Sequence, residues 1–259
     1  MLTIGEVARL PGTTGQRHER ILRVTSWASR VSREQMHLTL MLVLTFGTGI
    51  IDAVGYLGLD RVFTGNMTGN VVILGMALVG ADDLPILGPT LALVGFMAGA
   101  ALGGRILKHA AGKWTARTTW LFGGVAFVVL ALGVALFVVG DDPGRPFGIT
   151  ITTLLGAAMG VQAATARFVA IRDVTTVVVT STITGLAADS AIGSGTGAGH
   201  TTRRVLAVVL ILAGAAVGAA LLRWHLGAGL LLAGAIALAT TLVGALHARI
   251  HDRLGDPAV

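Results

Sequence analysis

The sequence contains no cysteine, which excludes disulfide bridges and thiolate metal ligands. Charged residues are also scarce, at 12% of 259, whereas a soluble domain carries roughly 25%. No Gly-rich loop ending in Lys-Ser or Lys-Thr is present to hold a phosphate, and the seven histidines form no cluster with acidic residues at metal-ligand spacing. We therefore expect a protein that is not an enzyme and that uses neither a metal nor a cofactor.

Apolar residues make up 54% of the chain, and the mean hydropathy is +0.81. Crossing a bilayer as a helix takes about 20 consecutive apolar residues. Two apolar segments, 66–81 and 182–193, are too short to cross comfortably. The sequence predicts an all-α integral membrane protein with six transmembrane helices and two re-entrant or broken short helices. The predicted spans are 38–58, 87–107, 118–139, 147–166, 204–222 and 226–246.

The basic residues predict how the chain is oriented. Six arginines precede the first span, and four Lys or Arg residues lie between 105 and 117, which marks both regions as cytoplasmic. Only Arg61, Arg145 and Arg223 of the 19 basic residues fall outside. We expect cytoplasmic N- and C-termini, and a first span that is retained, since residues 1–36 do not resemble a signal peptide. An eight-span alternative, in which both short segments cross, places the basic 105–117 loop outside.

The polar stretch FTGNMTGN, residues 63–70, has a counterpart in VTSTITGL, residues 179–186. The flanks agree if IDA at 51–53 is aligned with VQA at 161–163 and the Gly-x-x-x-Gly pair at 95 and 99 with that at 214 and 218. Chance similarity in an Ala/Gly/Val-rich sequence is the alternative. Three spans in each half predict a 3+3 inverted repeat. The predicted units are a basic tail (1–36), repeats at 37–140 and 141–248, and a C-terminal tail (249–259).

The two motifs predict a binding site. Non-helical backbone at membrane depth must be satisfied by protein or by a water-lined cavity, and Thr and Asn are good N-caps. If the short helices point their positive N-termini at each other, they suit an anionic or polar solute. In the alternative, these residues only satisfy a broken helix. The β-branched run before the second motif is expected to be extended. The candidate substrate-binding residues are Thr64, Asn66, Thr68, Asn70, Thr180, Thr182 and Thr184.

One acidic residue, Asp52, lies about two-thirds of the way along the first span. An ionisable side chain inside a membrane segment is costly and indicates function. The aligned repeats place Gln162 opposite it, so both are candidates for ion coupling. Two alternatives stay open, namely hydration of Asp52 near the outer interface and pairing of Asp52 with Arg61.

The segment GIIDAVGYLGLDRVFTGNMTGNVVILGMAL resembles the signature of the YoaK family of uncharacterised bacterial multi-pass membrane proteins. In that signature, Asp-Ala-x-Gly precedes Phe-x-x-Asn-Met-Thr-Gly-Asn, and the likeness covers roughly residues 38–247. The resemblance implies an integral protein of the inner membrane and supplies no substrate. The second-half counterpart of the motif is less diagnostic.

Two classes of function remain. The first is a secondary transporter that moves a small polar or anionic solute by alternating access. The alternative is a membrane scaffold or sensor that acts through partners. The bilayer and the solute are the expected partners, and nucleic acid is not, because the basic residues follow the membrane topology. Glycines at four-residue spacing pack transmembrane helices closely, and they could also support a homodimer.

Overall fold

The computed structural model describes residues 31–108, 114–169, 179–188 and 201–253, which form eight α-helices and no strand. A 3-10 turn at Ala81–Asp83 follows the second helix. Residues 1–30 of the predicted basic tail (1–36) and 254–259 of the predicted C-terminal tail (249–259) lie outside the described residues. The helices are α1 (Arg33–Gly58), α2 (Met67–Leu78), α3 (Leu87–Leu107), α4 (Ala116–Val139), α5 (Arg145–Val169), α6 (Val179–Ala188), α7 (Thr201–Leu222) and α8 (Leu226–Arg253).

Local sequence signals start three of these helices. Ser32 caps α1 and Thr115 caps α4, each in a capping box closed by the residue three positions later. Asn66 caps α2 by accepting a hydrogen bond from the backbone N–H of Gly69. The caps satisfy N–H groups that the first helical turn would otherwise leave unpaired.

Six of the eight helices are long and apolar enough to cross a membrane, which confirms the predicted all-α architecture with six spans. The other two, α2 with 12 residues and α6 with 10 in the described range 179–188, are shorter than a membrane span requires. One local expectation was wrong in part: of the β-branched run at 174–182, residues 179–182 are not extended but form the first turn of α6, whereas 174–178 lie outside the described residues.

Close glycine contacts show that α3 and α5 run in the same direction. Gly95 faces the backbone carbonyl of Thr153, and one turn later Gly99 faces that of Ala157, with no room for a Cβ atom. These small residues let the two backbones approach each other, as is typical of packed membrane helices. The predicted packing role of these glycines is therefore observed.

The same arrangement joins α1 and α7. Gly214 faces the carbonyl of Phe46, and Gly218 faces that of Ile50 one turn further along both helices. These two helices are therefore also parallel.

By contrast, α1 and α5 are antiparallel. Leu59, just after the end of α1, contacts Gly148 at the start of α5, whereas Thr48 within α1 meets Gln162 near the end of α5. Because α3 is parallel to α5, α3 is also antiparallel to α1. The connection from α1 to α3 therefore starts and ends at the same end of the bundle. The eight-span alternative would make α1 and α5 parallel and is inconsistent with this packing.

The buried core lies between α1, α4, α5 and α8, where large apolar side chains such as Ile50, Val129, Leu155 and Leu230 are fully buried. A second cluster around Met41, which includes Phe122 and Trp114, fills the end at which α1 begins. Of the six spans, α1 is the most buried and α7 the least. The polar residues of α1 are therefore held at the centre of the molecule.

Candidate functional site around Asp52

A row of polar residues follows one side of α1. Thr48 and Asp52 are one turn apart, and both are buried although they lie within a spanning helix. The Thr48 hydroxyl donates a hydrogen bond to the carbonyl of Leu44 at 3.0 Å, so its proton already has a partner within the helix. Asp52 is 8% exposed as a residue, and its carboxylate accepts hydrogen bonds from groups outside the helix.

The segment after α1 folds back onto that helix. Asp60 and Arg61 both adopt left-handed backbone conformations, with φ of 60° and 55°. Such φ values are uncommon for residues other than glycine, and here they reverse the chain direction. The backbone N–H of Val62 then donates to the carbonyl of Gly55 at 3.3 Å. Because Gly55 has no Cβ, the returning chain lies directly against α1.

This return delivers two backbone donors to Asp52. Its Oδ1 accepts hydrogen bonds from the N–H of Gly65 at 2.7 Å and of Thr64 at 2.9 Å, with the Thr64 hydroxyl at 3.4 Å. A side chain at Gly65 would collide with the Thr48 methyl group. Successive N–H groups that converge in this way form an anion site. Here the protein's own carboxylate occupies it.

Asn70 fixes the same segment from its other side. Its Oδ1 accepts from the backbone N–H of Phe63 at 2.9 Å, and its Nδ2 donates to the Phe63 carbonyl at 2.6 Å. The Phe63 ring stacks on Tyr56, with 4.7 Å between centroids. Asn66 and Thr68 are exposed, and Asn66 serves as the cap of α2. Of the first motif, Thr64 and Asn70 are therefore buried at the site.

Gln162 reaches the same place from the second half. Its Nε2 donates to the Thr48 hydroxyl oxygen at 3.3 Å, and its side chain is buried. The two predicted ion-coupling residues therefore lie in one polar cluster, which we call the Asp52 cluster: Thr48, Asp52, Thr64, Gly65 and Gln162.

The suggested pairing of Asp52 with Arg61 does not occur, because Arg61 forms an ion pair with Asp82 at 3.7 Å.

Sequence reasoning missed Thr48. The available signal was its position four residues before Asp52, which places both on one face of a helix.

The second motif stands apart from this cluster. Thr180 and Thr184 are exposed, and the Thr184 hydroxyl donates to the Thr180 carbonyl, whereas Thr182 is buried. Within the described part of the chain, α2 packs on α3 and α6 on α7, and the two short helices do not contact each other. The expected facing N-termini are therefore not brought together directly.

The chain matches the family model "Protein of unknown function (DUF1275)" over residues 40–243. It is also 30% identical over 152 residues to the UPF0700 transmembrane protein YoaK of Bacillus subtilis (strain 168). That match covers 58% of this chain and 66% of the relative, just under two thirds of its length. No solved structure matches. The chain belongs to the DUF1275 family, which confirms the predicted relationship to YoaK.

Proposed function

We propose that this member of the DUF1275 family is a secondary transporter of the bacterial inner membrane, with both termini in the cytoplasm. It moves a small polar or anionic solute by alternating access. One observation carries the proposal. The carboxylate of Asp52, which is buried in a spanning helix, accepts hydrogen bonds from the backbone N–H groups of Thr64 and Gly65. Buried ionisable groups in membrane segments are expensive and are typical of ion and substrate pathways.

The helix contacts are consistent with an inverted repeat, which we include in the proposal. If α1–α4 are exchanged with α5–α8, each pair of packed helices maps onto another packed pair or onto itself. The antiparallel packing of α1 and α5 fits two halves of opposite orientation. Transporters of several kinds are built from inverted halves around a central site formed by broken helices.

The helix contacts also give a register for the repeat. Phe46 in the first half has the position of Thr153 in the second, and Ile50 that of Ala157, a constant difference of 107 residues. The sequence alignment had instead paired Asp52 with Gln162, at a difference of 110. In the packing register Asp52 corresponds to Met159, so the second half has no equivalent carboxylate. We infer that only the first half couples transport to an ion.

In the proposed coupling, the Asp52 carboxylate and the anionic solute compete for the same two hydrogen-bond donors. Ionised Asp52 holds the N–H groups of Thr64 and Gly65, and hydrogen bonds to a charged acceptor are each worth about 1.5–3 kcal/mol. When Asp52 takes up one proton from water, its negative charge is lost, and its hydrogen bonds with the N–H groups of Thr64 and Gly65 become weaker. The freed N–H groups can then bind an anionic solute. One proton therefore travels with each anion, and loss of the proton on the other side expels the solute.

Thermal-shift measurements on the purified full chain test the proposal. We suggest formate, acetate, nitrate and phosphate as probes, together with small neutral and cationic metabolites, since a ligand that binds only the folded state raises apparent stability. An anion should stabilise the parent protein more as the pH falls. Asp52→Asn carries no charge at any pH, so its response should not change with pH. Thr150→Ala, at an exposed position outside both the cluster and the two motifs, should behave like the parent.

Transport itself is measured with the stabilising anion, radiolabelled, in proteoliposomes. The parent should accumulate the anion when an inward proton gradient is imposed, and Asp52→Asn should exchange it without accumulation. If no probe stabilises the parent, or if Asp52→Asn accumulates the anion as well as the parent, then the transporter proposal is wrong in this form. The scaffold alternative would then be favoured.

A further inference from the structure

An apolar groove of about 420 Å³ runs between α3, α4 and α5. It exists because α3 leans on α5, through the glycine contacts described above, rather than on α4. Every lining residue is apolar, including Gly99, Leu102, Gly124 and Ala157. Because the indole N–H of Trp120, at one end, is the single hydrogen-bonding side-chain group in the wall, the groove suits a hydrocarbon chain rather than a polar solute.

The length of the groove is close to the thickness of the hydrocarbon layer of one lipid leaflet. Its lining on α4 runs from Trp120 to Val128, about 12 Å at 1.5 Å per residue. Half of a bilayer's hydrocarbon core is about 15 Å thick. Trp120 lies one turn from the start of α4 and is 81% exposed, in the position that tryptophan favours at a membrane interface.

Three basic residues lie on α3 and α4 just beyond this end of the groove. Arg105 and Lys108 lie at the end of α3 and Arg117 at the start of α4, and all three are exposed. Arg117 donates to the carbonyl of Ile106 at 3.3 Å, which fixes it beside the end of α3.

No carboxylate among the described residues forms an ion pair with any of these three. At the same end of the bundle, Arg33 is paired with Asp252 and Arg203 with Glu34. The end of the groove therefore carries a concentration of positive charge that no carboxylate of the described ranges balances.

We propose that this groove binds an anionic phospholipid of the adjoining leaflet, with one acyl chain between α3, α4 and α5 and its phosphate at Arg105, Lys108 and Arg117. Basic pockets between membrane helices at a cytoplasmic surface are suited to anionic headgroups. A second copy of the chain fits less well, because a two-fold contact across this face would bring two sets of the same basic residues together.

The test uses the full chain in nanodiscs of phosphatidylcholine that contain a small fraction of phosphatidylglycerol, with bound lipid identified by native mass spectrometry after release. The parent should retain phosphatidylglycerol in preference to phosphatidylcholine. The combined variant Arg105→Gln/Lys108→Gln/Arg117→Gln should lose this preference by about tenfold or more, since each basic residue at an interface contributes to anionic-lipid affinity. Arg223→Gln, an exposed arginine at the opposite end, is the matched control and should retain it.

A second variant tests the acyl-chain site separately from the charges. A Cβ at Gly124 would meet nothing within 4 Å, and Gly124 lines the groove, so the side chain of Gly124→Leu is expected to occupy it. It should reduce retention of both lipids. Gly75→Leu, at an equally open glycine outside the groove, should not. Brominated acyl chains should quench tryptophan fluorescence in the parent, and this quenching should decrease in Trp120→Phe and in Gly124→Leu.

Three results would each overturn the proposal. The first is equal retention of the two lipids by the parent. The second is unchanged lipid retention in Gly124→Leu. The third is a dimer in the nanodisc that cross-links through cysteines placed on α3 and α4, since a second copy would then cover the groove. None of these results bears on the Asp52 cluster, so the transport proposal is tested independently.

Discussion

Gln162 donates a hydrogen bond to the Thr48 hydroxyl oxygen across 3.3 Å and so joins α5 to α1 within the buried centre of the molecule. Because the same hydroxyl donates to the Leu44 carbonyl, Thr48 acts as donor and acceptor at once. Asp52, one turn further along α1, holds the returning segment at Thr64 and Gly65. Movement of one half against the other would have to break or stretch the bond between Gln162 and Thr48.

A double-mutant cycle measures this link. Thr48→Val and Gln162→Leu each remove one partner, and each should lower the free energy of unfolding by about 1 kcal/mol. The double variant should lose less than the sum of the two, by about 0.5–1.5 kcal/mol, because the bond is lost only once. Thr152→Val is the control, since Thr152 is buried but bonds only within its own helix. Strict additivity of Thr48→Val with Gln162→Leu would show that the bond contributes nothing.

Two substitutions at Asp52 separate its role as a hydrogen-bond acceptor from the effect of its charge. Asp52→Ala leaves the N–H groups of Thr64 and Gly65 without their acceptor and should destabilise the protein by about 1–3 kcal/mol for each buried group. Asp52→Asn keeps an oxygen at Oδ1 and should be destabilised less. Both are measured by unfolding in detergent. Asp82→Asn removes an exposed ion pair, keeps a residue type that tolerates the left-handed backbone at this position, and should cost about 0–1 kcal/mol. An Asp52→Ala protein as stable as the parent would contradict the structural role of the carboxylate.

Asn70 should matter more to the motif than Asn66. Asn70 binds both the N–H and the carbonyl of Phe63, so Asn70→Ala should lower stability by about 1–3 kcal/mol and loosen the segment before α2. Asn66 provides one exposed cap bond, and Asn66→Ala should cost about 0.5–2 kcal/mol. Hydrogen exchange at Phe63 and Thr64, followed by mass spectrometry, should rise strongly only in Asn70→Ala. Equal exchange in the two variants would refute this difference.

The glycine contacts predict paired effects in the two halves. Gly99 and Gly214 have no room for a Cβ against the neighbouring backbone, so Gly99→Ala and Gly214→Ala should each destabilise the fold by about 1–3 kcal/mol. Gly104 lies in α3 with open surroundings, and Gly104→Ala should be neutral or stabilising by up to about 1 kcal/mol. Thermal unfolding of the three variants checks this, and a stable Gly214→Ala protein would argue against equivalent packing in the two halves.

The absence of natural cysteine makes the topology directly testable. Single cysteines at Asp83, Asp142 and Trp224, which are exposed at one end of the bundle, should react with a membrane-impermeant maleimide in intact cells. Cysteines at Lys108 and Arg253, at the opposite end, should react only after the cells are opened. Labelling of the Lys108 variant in intact cells would reverse the proposed orientation, and opposite labelling at Asp83 and Asp142 would contradict the six-span fold.

Much of the architecture could be predicted from composition and order. Apolar runs of sufficient length predict the six spans, because lipid offers no partner to an unpaired backbone and so enforces helices. The shortness of the apolar segments after residues 66 and 182 likewise predicts helices that do not cross. The polar motif at 63–70 and the depth of Asp52 identify the region of the site, since such residues are costly inside a membrane.

Only the tertiary structure decided which partners these residues take. Nothing in the spacing of Asp52 and Gly65 indicates that the backbone N–H of Gly65 binds the carboxylate, because that bond depends on the chain reversal at Asp60 and Arg61. The partner of Gln162 is likewise not indicated by the sequence, in which the aligned motifs pair Gln162 with Asp52. Helix packing, which depends on where small residues allow backbones to meet, brings the Gln162 side chain to Thr48.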